Sequence, residues 1–334
     1  MTGTMQAVQA QKVGEPFVVV ELPIPDPAAN QVRIKVHACG VCGGEAIPRN
    51  GLFGTELPRV PGHEITGVVD AVGDAVTMWN VGDRVGVGWS GGVDFTCEFC
   101  RRGDFTNCVN RTIVGSSYDG GYAEYMVAPW DAVARLPEEL DFAEAAPLMC
   151  AGVTSFNGLR HSLARPGDLV AINGVGGVGH LAIQFASKMG FRTVAINRGT
   201  AKEELARKLG ADEYIDSSAH DAGEVLRDMG GAEVIMDTVS RGSLQGALVK
   251  GVKPSGQLIV TEGLDPIPVD GHDLAFPRLS ISGWYSGVAA DSEDTLRFAL
   301  LRDVRPIIET HPLKDAEQAF TNLHNANLRS VLIP

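Results

Sequence analysis

The sequence predicts an α/β chain of two units, a barrel-like β unit followed by a parallel sheet covered by helices. Three observations predict it. Short β-branched runs separated by Gly, Pro and Asp turns fill residues 1–140. From about residue 150, apolar strands alternate with amphipathic helices. A glycine-rich stretch, Gly174-Val175-Gly176-Gly177-Val178-Gly179, joins the first of these strands to the first helix.

The β unit is read from runs at 17–20, 32–36 and 65–69, each rich in Val and Ile and bounded by turn residues. Many short strands at such spacing suggest a barrel. The second unit opens with a strand at 168–173, a helix at 180–189 and a strand at 193–196. A helix at 202–209 and strands at 233–236 and 257–260 continue the alternation. Such alternation implies a parallel sheet with both faces covered. A helix at 293–301 then leads to a last strand at 331–333.

Composition bounds the function. With 334 residues, 44% hydrophobic and 21% charged, the chain has the make-up of a soluble protein with two sizeable cores. A net charge of −13 and the lack of a basic run argue against nucleic acid and against an anionic membrane surface as partners. No apolar run has the length of a membrane span, and the first residues carry no signal-peptide pattern, so a cytoplasmic location is expected. In that setting, the CxxC spacing among six cysteines reads as metal ligation rather than disulfides.

The glycine-rich stretch fits G-x-G-x-x-G in the context the motif needs, after a strand and opening a helix. Gly174 allows a tight turn, Gly176 lets the backbone approach a pyrophosphate, and Gly179 lets helix and strand pack closely. Gly177 and Val178 complete the loop at a helix N-terminus, which favours an anion. The next strand ends in Asn197-Arg198, with Lys202 close by, where NAD binders usually carry an acid for the ribose 2′-hydroxyl. Two cations without the acid favour NADP(H) over NAD(H). The competing reading makes Arg198 a solvated surface residue and Asn197 a partner for NAD.

Two cysteine groups stand out. Asp94, Cys97, Cys100 and Cys108 have the spacing to wrap a tetrahedral Zn²⁺ within one loop. No open position is implied, so that site would be structural. The competing readings are an empty lobe, or a weak three-thiolate site with Asp94 exposed. Cys42, His63 and Cys150 are far apart, and spacing alone does not join them: His63 also reads as a turn histidine and Cys150 as a small buried hydrophobe.

The whole pattern resembles the zinc-dependent medium-chain alcohol dehydrogenases along nearly its full length. The matching stretches are Gly40-Val41-Cys42, Pro61-Gly62-His63-Glu64-Ile65-Thr66-Gly67, Gly82-Asp83-Arg84-Val85, the Cys97-to-Cys108 lobe, Asp119-Gly120-Gly121-Tyr122-Ala123-Glu124-Tyr125, Cys150-Ala151-Gly152-Val153-Thr154 and the Gly174-to-Gly179 loop. The resemblance implies a GroES-like β-barrel catalytic domain, residues 1–149 and 288–334, split around a Rossmann domain, residues 150–287. It implies catalytic zinc held by Cys42, His63 and Cys150, with Glu64 in some states. It places Thr154 near the nicotinamide, brings Arg329 to the cofactor phosphates, and makes Phe53 and Trp89 aromatic walls of the substrate pocket. Plain core packing is the other reading of those two aromatics. Relatives form homodimers or homotetramers.

The chain departs from the family beside the metal. The family usually follows the first zinc cysteine with His-Ser/Thr-Asp, and here the residues are Gly43-Gly44-Glu45. Gly44 lacks the hydroxyl that bonds substrate oxygen and passes its proton outward. Asn50, where some relatives end the relay with His, does not titrate. Glu45 is expected to support His63 as an outer acceptor or to swing towards the pocket. The two glycines are expected to open space for a bulkier substrate. The first expectation is a zinc-dependent NADP(H)-linked enzyme that moves a hydride to or from an alcohol, aldehyde or ketone. The second is conjugate C=C reduction on the same scaffold. The third is an idle nucleotide-binding protein, which the intact metal set disfavours.

Overall fold

A computed structural model describes residues 3–239, 242–263, 265–323 and 328–334. The chain divides into two compact units, Met1–Val153 with Ser286–Pro334, and Thr154–Tyr285. The sequence had suggested divisions at 149/150 and 287/288. Residues just before the first division pack into the first unit: Ala146, Leu148 and Met149 are buried. The Met149 backbone lies so close to Gly88 that a side chain there would strike it.

The first unit holds a hairpin-like pair, β1 (Thr4–Gln9) with β2 (Val18–Pro23), and a seven-stranded sheet. The sheet contains β3 (Gln31–Gly40), β4 (Ile65–Val72), β5 (Arg84–Val87), β6 (Tyr125–Pro129) and β7 (Val133–Arg135). All pair antiparallel. β3 sits centrally because Val32, Ile34 and Val36 face the core at every second position and, past an irregularity after Val36, Cys39 joins them while Ala38 packs with Ala146 and Val331. Its one buried cation, Arg33, is compensated by Asp70 at 2.6 Å and Asp26 at 3.0 Å. Ile34, Ile65, Val85, Val87, Tyr122 and Met126 are among the residues that fill the core.

The second unit is a parallel sheet. Its strands are β8 (Leu169–Asn173), β9 (Arg192–Asn197), β10 (Glu213–Asp216), β11 (Ala232–Asp237), β12 (Val252–Val260) and β13 (Ser280–Gly283). The spatial order β10-β9-β8-β11-β12-β13 is that of a doubly wound dinucleotide fold. Every residue of β8 is buried, as expected of a central strand covered on both faces. The chain order reverses between β8 and β11, where such sheets open a crevice at the strand C-termini.

The last segment returns to the first unit. Helix Ala289–Arg302 precedes β14 (Ile308–Pro312) and β15 (Arg329–Ile333). β15 adds antiparallel to β3, with Leu332 opposite Cys39 and Val331 opposite Gly40. That register brings the C-terminal strand to the end of β3, one residue before Cys42 begins its turn. No helix among the described residues is long and apolar enough to cross a membrane.

Candidate metal centre and nucleotide loop

The first unit gathers Cys42, His63, Glu64 and Cys150, whose ligand atoms lie within 4.8 Å of one another. Cys42 follows β3 and caps a short turn, Gly43–Glu45. Its Sγ accepts the Gly44 N–H at 3.5 Å. His63 and Glu64 immediately precede β4. Cys150 ends the short helical turn Ala146–Met149.

His63 is buried and held from behind. Its Nδ1 lies 2.8 Å from Glu45 Oε1, and the other Glu45 oxygen accepts the Cys42 N–H at 3.0 Å. Glu45 is fully buried, so it does not swing towards a pocket as the sequence had allowed. Burial pushes its carboxyl upward in pKa, against the pull of His63. Burial alone would lower His63, but the charges of Glu45 and Cys42 outweigh it and the imidazole is raised well above its ordinary value. The opposite ring nitrogen, Nε2, is buried with no hydrogen-bond partner. A buried imidazole nitrogen with no partner, aimed into a group with two thiols and a carboxylate, fits a tetrahedral zinc of Cys₂His type.

Glu64 is fully buried, and its Oε1 accepts from Arg329 Nη2 at the start of β15. Its Oε2 has no hydrogen-bond partner. Burial pushes the carboxyl up to about 7 even against the Arg329 charge. Gly40 makes the arrangement possible, because a Cβ there would collide with Oε2. The resemblance had sent Arg329 to the cofactor phosphates. Here its Nη2 donates to Glu64, the counter-charge a buried guanidinium needs, while its Nε has no hydrogen-bond partner.

Gly44 does not open space. A Cβ on it would stand 2.8 Å from His63 Cε1 and 3.0 Å from Trp89 Cζ3. The Trp89 ring meets the His63 ring edge-on, with centroids 4.8 Å apart at 89°. Trp89 therefore walls the metal group directly. Phe53 is 71% exposed and takes a left-handed backbone, φ 54°, which excludes core packing. The Asn50 amide donates to Ala46 O at 2.8 Å.

A second group in the same unit is Asp94, Cys97, Cys100 and Cys108, again with ligand atoms within 4.8 Å. Asp94 Oδ1 accepts from Thr96 N at 2.8 Å and Cys97 N at 2.9 Å, and Oδ2 from the Asn110 amide at 2.7 Å. Those backbone donors hold its carboxyl well below the usual range. Cys97 caps helix Glu98–Arg101, and Cys100 and Cys108 are buried. All four side chains converge although Asp94 also shapes the turn.

In the second unit, the glycine-rich stretch joins β8 to helix Gly179–Lys188. Gly174 has φ +98°, and a Cβ on Gly179 would strike the Gly174 carbonyl. A Cβ on Gly176 would meet nothing within 4 Å, so its backbone is open to a ligand. Asn197 Oδ1 accepts Val175 N at 3.4 Å. Lys202 Nζ donates to Val175 O at 2.7 Å and its pKa is lowered by burial, so Lys202 braces the loop. Arg198 is exposed and has no acidic partner among the described residues. Asp216, the nearest strand-end acid, is committed to the N–H groups of Gly199 and Ser218 and to the Ser218 hydroxyl. Thr154 is a buried residue of helix Ala151–Arg160. Sequence reading missed the floor of this crevice, where Asn173 Nδ2 donates to the buried Asp237 Oδ1 at 2.6 Å and Gln245 Nε2 to Oδ2 at 2.6 Å.

Comparison with known proteins agrees with this geometry. Residues 28–138 match the alcohol dehydrogenase GroES-like domain, and residues 177–300 match the zinc-binding dehydrogenase domain. The chain is 42% identical over 319 residues to alcohol dehydrogenase notN of Aspergillus sp. (strain MF297-2), covering 96% of this chain and 94% of that protein. Among solved structures, AibC has a TM-score of 0.92 at 30% identity, covering 100% of this chain and 97% of that one. The cinnamyl alcohol dehydrogenase SbCAD4 of Sorghum bicolor has a TM-score of 0.89 at 30% identity, covering 99% and 98%. With both domain models matched in order and relatives of this identity over almost the whole length, the chain belongs to the zinc-dependent medium-chain alcohol dehydrogenases.

Proposed function

We propose that this protein is a zinc-dependent, NADP(H)-linked oxidoreductase that transfers a hydride between the cofactor and an alcohol, or the matching aldehyde or ketone. The observation that carries the reading is the buried, unpartnered His63 Nε2 grouped with the ligand atoms of Cys42, Cys150 and Glu64. When bound there, zinc supplies Lewis-acid polarisation of a substrate oxygen. Cys42 and Cys150 serve as thiolates and His63 as the neutral nitrogen donor. Glu45 orients the imidazole through Nδ1, the outer support that such histidines need. Arg329 binds one Glu64 oxygen, and the other, unpartnered oxygen stays in the donor group, where substrate oxygen would take its place. Trp89 limits that position on one side.

On the cofactor side, Gly176 leaves room for a pyrophosphate at the start of helix Gly179–Lys188. Arg198 is the free cation next to the end of β9, and it supports NADP(H) over NAD(H). Lys202 acts through the loop it braces. Thr154 serves the nicotinamide end. A homodimer or homotetramer in the cytoplasm completes the reading.

The proton is the open element. Residue 44 has no hydroxyl and Asn50 is tied to Ala46 O, so neither carries a proton to or from substrate oxygen. That observation favours one second reading, conjugate reduction of an activated C=C bond, in which the hydride and the proton both end on carbon. An NADPH oxidation screen with saturated aldehydes, ketones and enals, followed by product identification, separates the two. Alcohol products support the first reading and saturated carbonyl products the second. No oxidation with any of them would overturn both.

A further inference from the structure

The turn Gly43–Glu45 holds two glycines with opposite surroundings. A Cβ on Gly43 would meet nothing within 4 Å. A Cβ on Gly44 would press on the His63 ring, 2.8 Å from Cε1 and 3.3 Å from Nε2, and on Trp89 at 3.0 Å. Neither position has the left-handed backbone that would demand glycine for its own sake. The reason for Gly44 is therefore its neighbour across the turn.

The His63 ring is fixed on three edges. Glu45 Oε1 faces Nδ1 at 2.8 Å, Trp89 meets the ring edge-on, and a Cβ added to Gly44 would stand 2.8 Å from Cε1. Glu45 cannot retreat, because it is fully buried and its second oxygen is bound to Cys42 N. An ordinary carbon–carbon contact needs about 3.5 Å. A side chain at 44 thus requires the ring to move by under an ångström, against the buried Glu45 that faces its Nδ1. Shortening Glu45 by one methylene withdraws its carboxylate by about 1.5 Å, one C–C bond, which exceeds the movement needed.

We propose that Gly44 and Glu45 are one positioning unit: the long carboxylate arm and the missing side chain together set His63 so that Nε2 faces Cys42 and Cys150. The absent hydroxyl is then a packing requirement of this centre, and serine cannot return at 44 unless residue 45 shortens with it. The inference rests on the zinc reading of the group.

The test is Zn²⁺ and Co²⁺ titration of metal-free protein, reading affinity and the visible cobalt spectrum. The variants are Gly43→Ala, Gly44→Ala, Glu45→Asp and the double variant Gly44→Ala/Glu45→Asp. Gly43→Ala should bind like the unaltered protein. Gly44→Ala and Glu45→Asp should each lose about 10–100-fold in affinity, the range for disturbing an outer support of a ligand. The double variant should bind at least tenfold better than the product of the two losses predicts, with a cobalt spectrum restored towards the original. Gly44→Ala binding within threefold of the unaltered protein would overturn the proposal, as would multiplicative losses. If Gly44→Ala does not fold, recovery of fold and binding by Glu45→Asp supports coupling, and no recovery overturns it. Unaltered protein that takes up no metal at this centre would sink the zinc reading itself, an outcome distinct from the others.

Discussion

Replacing Arg329 by methionine removes a cation that is 5% exposed and leaves Glu64, at 0%, as a buried carboxylate without its ion-pair partner. Methionine keeps the apolar stem of arginine, so the change isolates the charge. Breaking one side of a buried pair costs about 3–5 kcal/mol, whereas removing both sides costs little. The first unit has about 200 residues, for which 1 kcal/mol moves the melting temperature by roughly 2–4 °C. The expected loss is therefore about 6–20 °C in the transition of that unit. Differential scanning calorimetry of chelator-treated protein measures it without interference from bound metal. The double variant Arg329→Met/Glu64→Gln should recover most of the loss, because the neutral amide no longer needs the guanidinium. A loss below about 1 kcal/mol in Arg329→Met, or a double variant no better than the single, would refute the claim that Arg329 is held by Glu64.

Three further outcomes are expected. Arg198→Ala should weaken NADPH by roughly 10–100-fold, since hydrogen bonds to charged groups contribute about 1.5–3 kcal/mol, and should leave NADH almost unchanged; isothermal titration decides, and equal losses would undercut the NADP(H) assignment. Asp94→Asn keeps an acceptor for the Thr96 and Cys97 N–H groups but removes the carboxylate, so the lobe's metal content should fall while the turn survives; full metal retention in mass spectrometry would make Asp94 a cap and not a ligand. Burial raises the Asp237 carboxyl above its ordinary value despite the amides of Gln245 and Asn173. Its protonated form is favoured by folding, so its contribution is present below pH about 4 and is lost as pH rises through the raised folded value. Asp237→Asn should flatten that part of the urea-unfolding profile, and an unchanged slope would contradict the sign.

What the sequence made legible was local. The Gly174-to-Gly179 loop and the Asp94-to-Cys108 lobe are contiguous motifs, so spacing alone carried their geometry. The alternation after residue 168 carried the parallel sheet, because buried central strands are apolar throughout. Cys42, His63 and Cys150 needed the resemblance, since only β3, β4 and the turn before Cys150 bring them together. Packing across the turn was invisible. Gly44 read as empty space because nothing in the sequence shows that the His63 and Trp89 rings fill it. The bond from the Lys202 ammonium to the Val175 carbonyl was invisible as well, since a backbone acceptor 27 positions away leaves no mark in the sequence. The Arg329–Glu64 pair was invisible too, because its members are 265 positions apart. Short strands such as β5, β7 and β13 have only three or four residues, too few for a period to declare itself.

Metal analysis coupled to hydride transfer tests the central claim most directly. Purified protein should carry about two zinc ions per chain, the number two four-donor groups can hold. Cys150→Ser should lose one of them together with NADPH-dependent turnover, while the ion of the Asp94-to-Cys108 lobe stays. Protein without zinc, or a Cys150→Ser variant with full zinc and full turnover, would contradict the account.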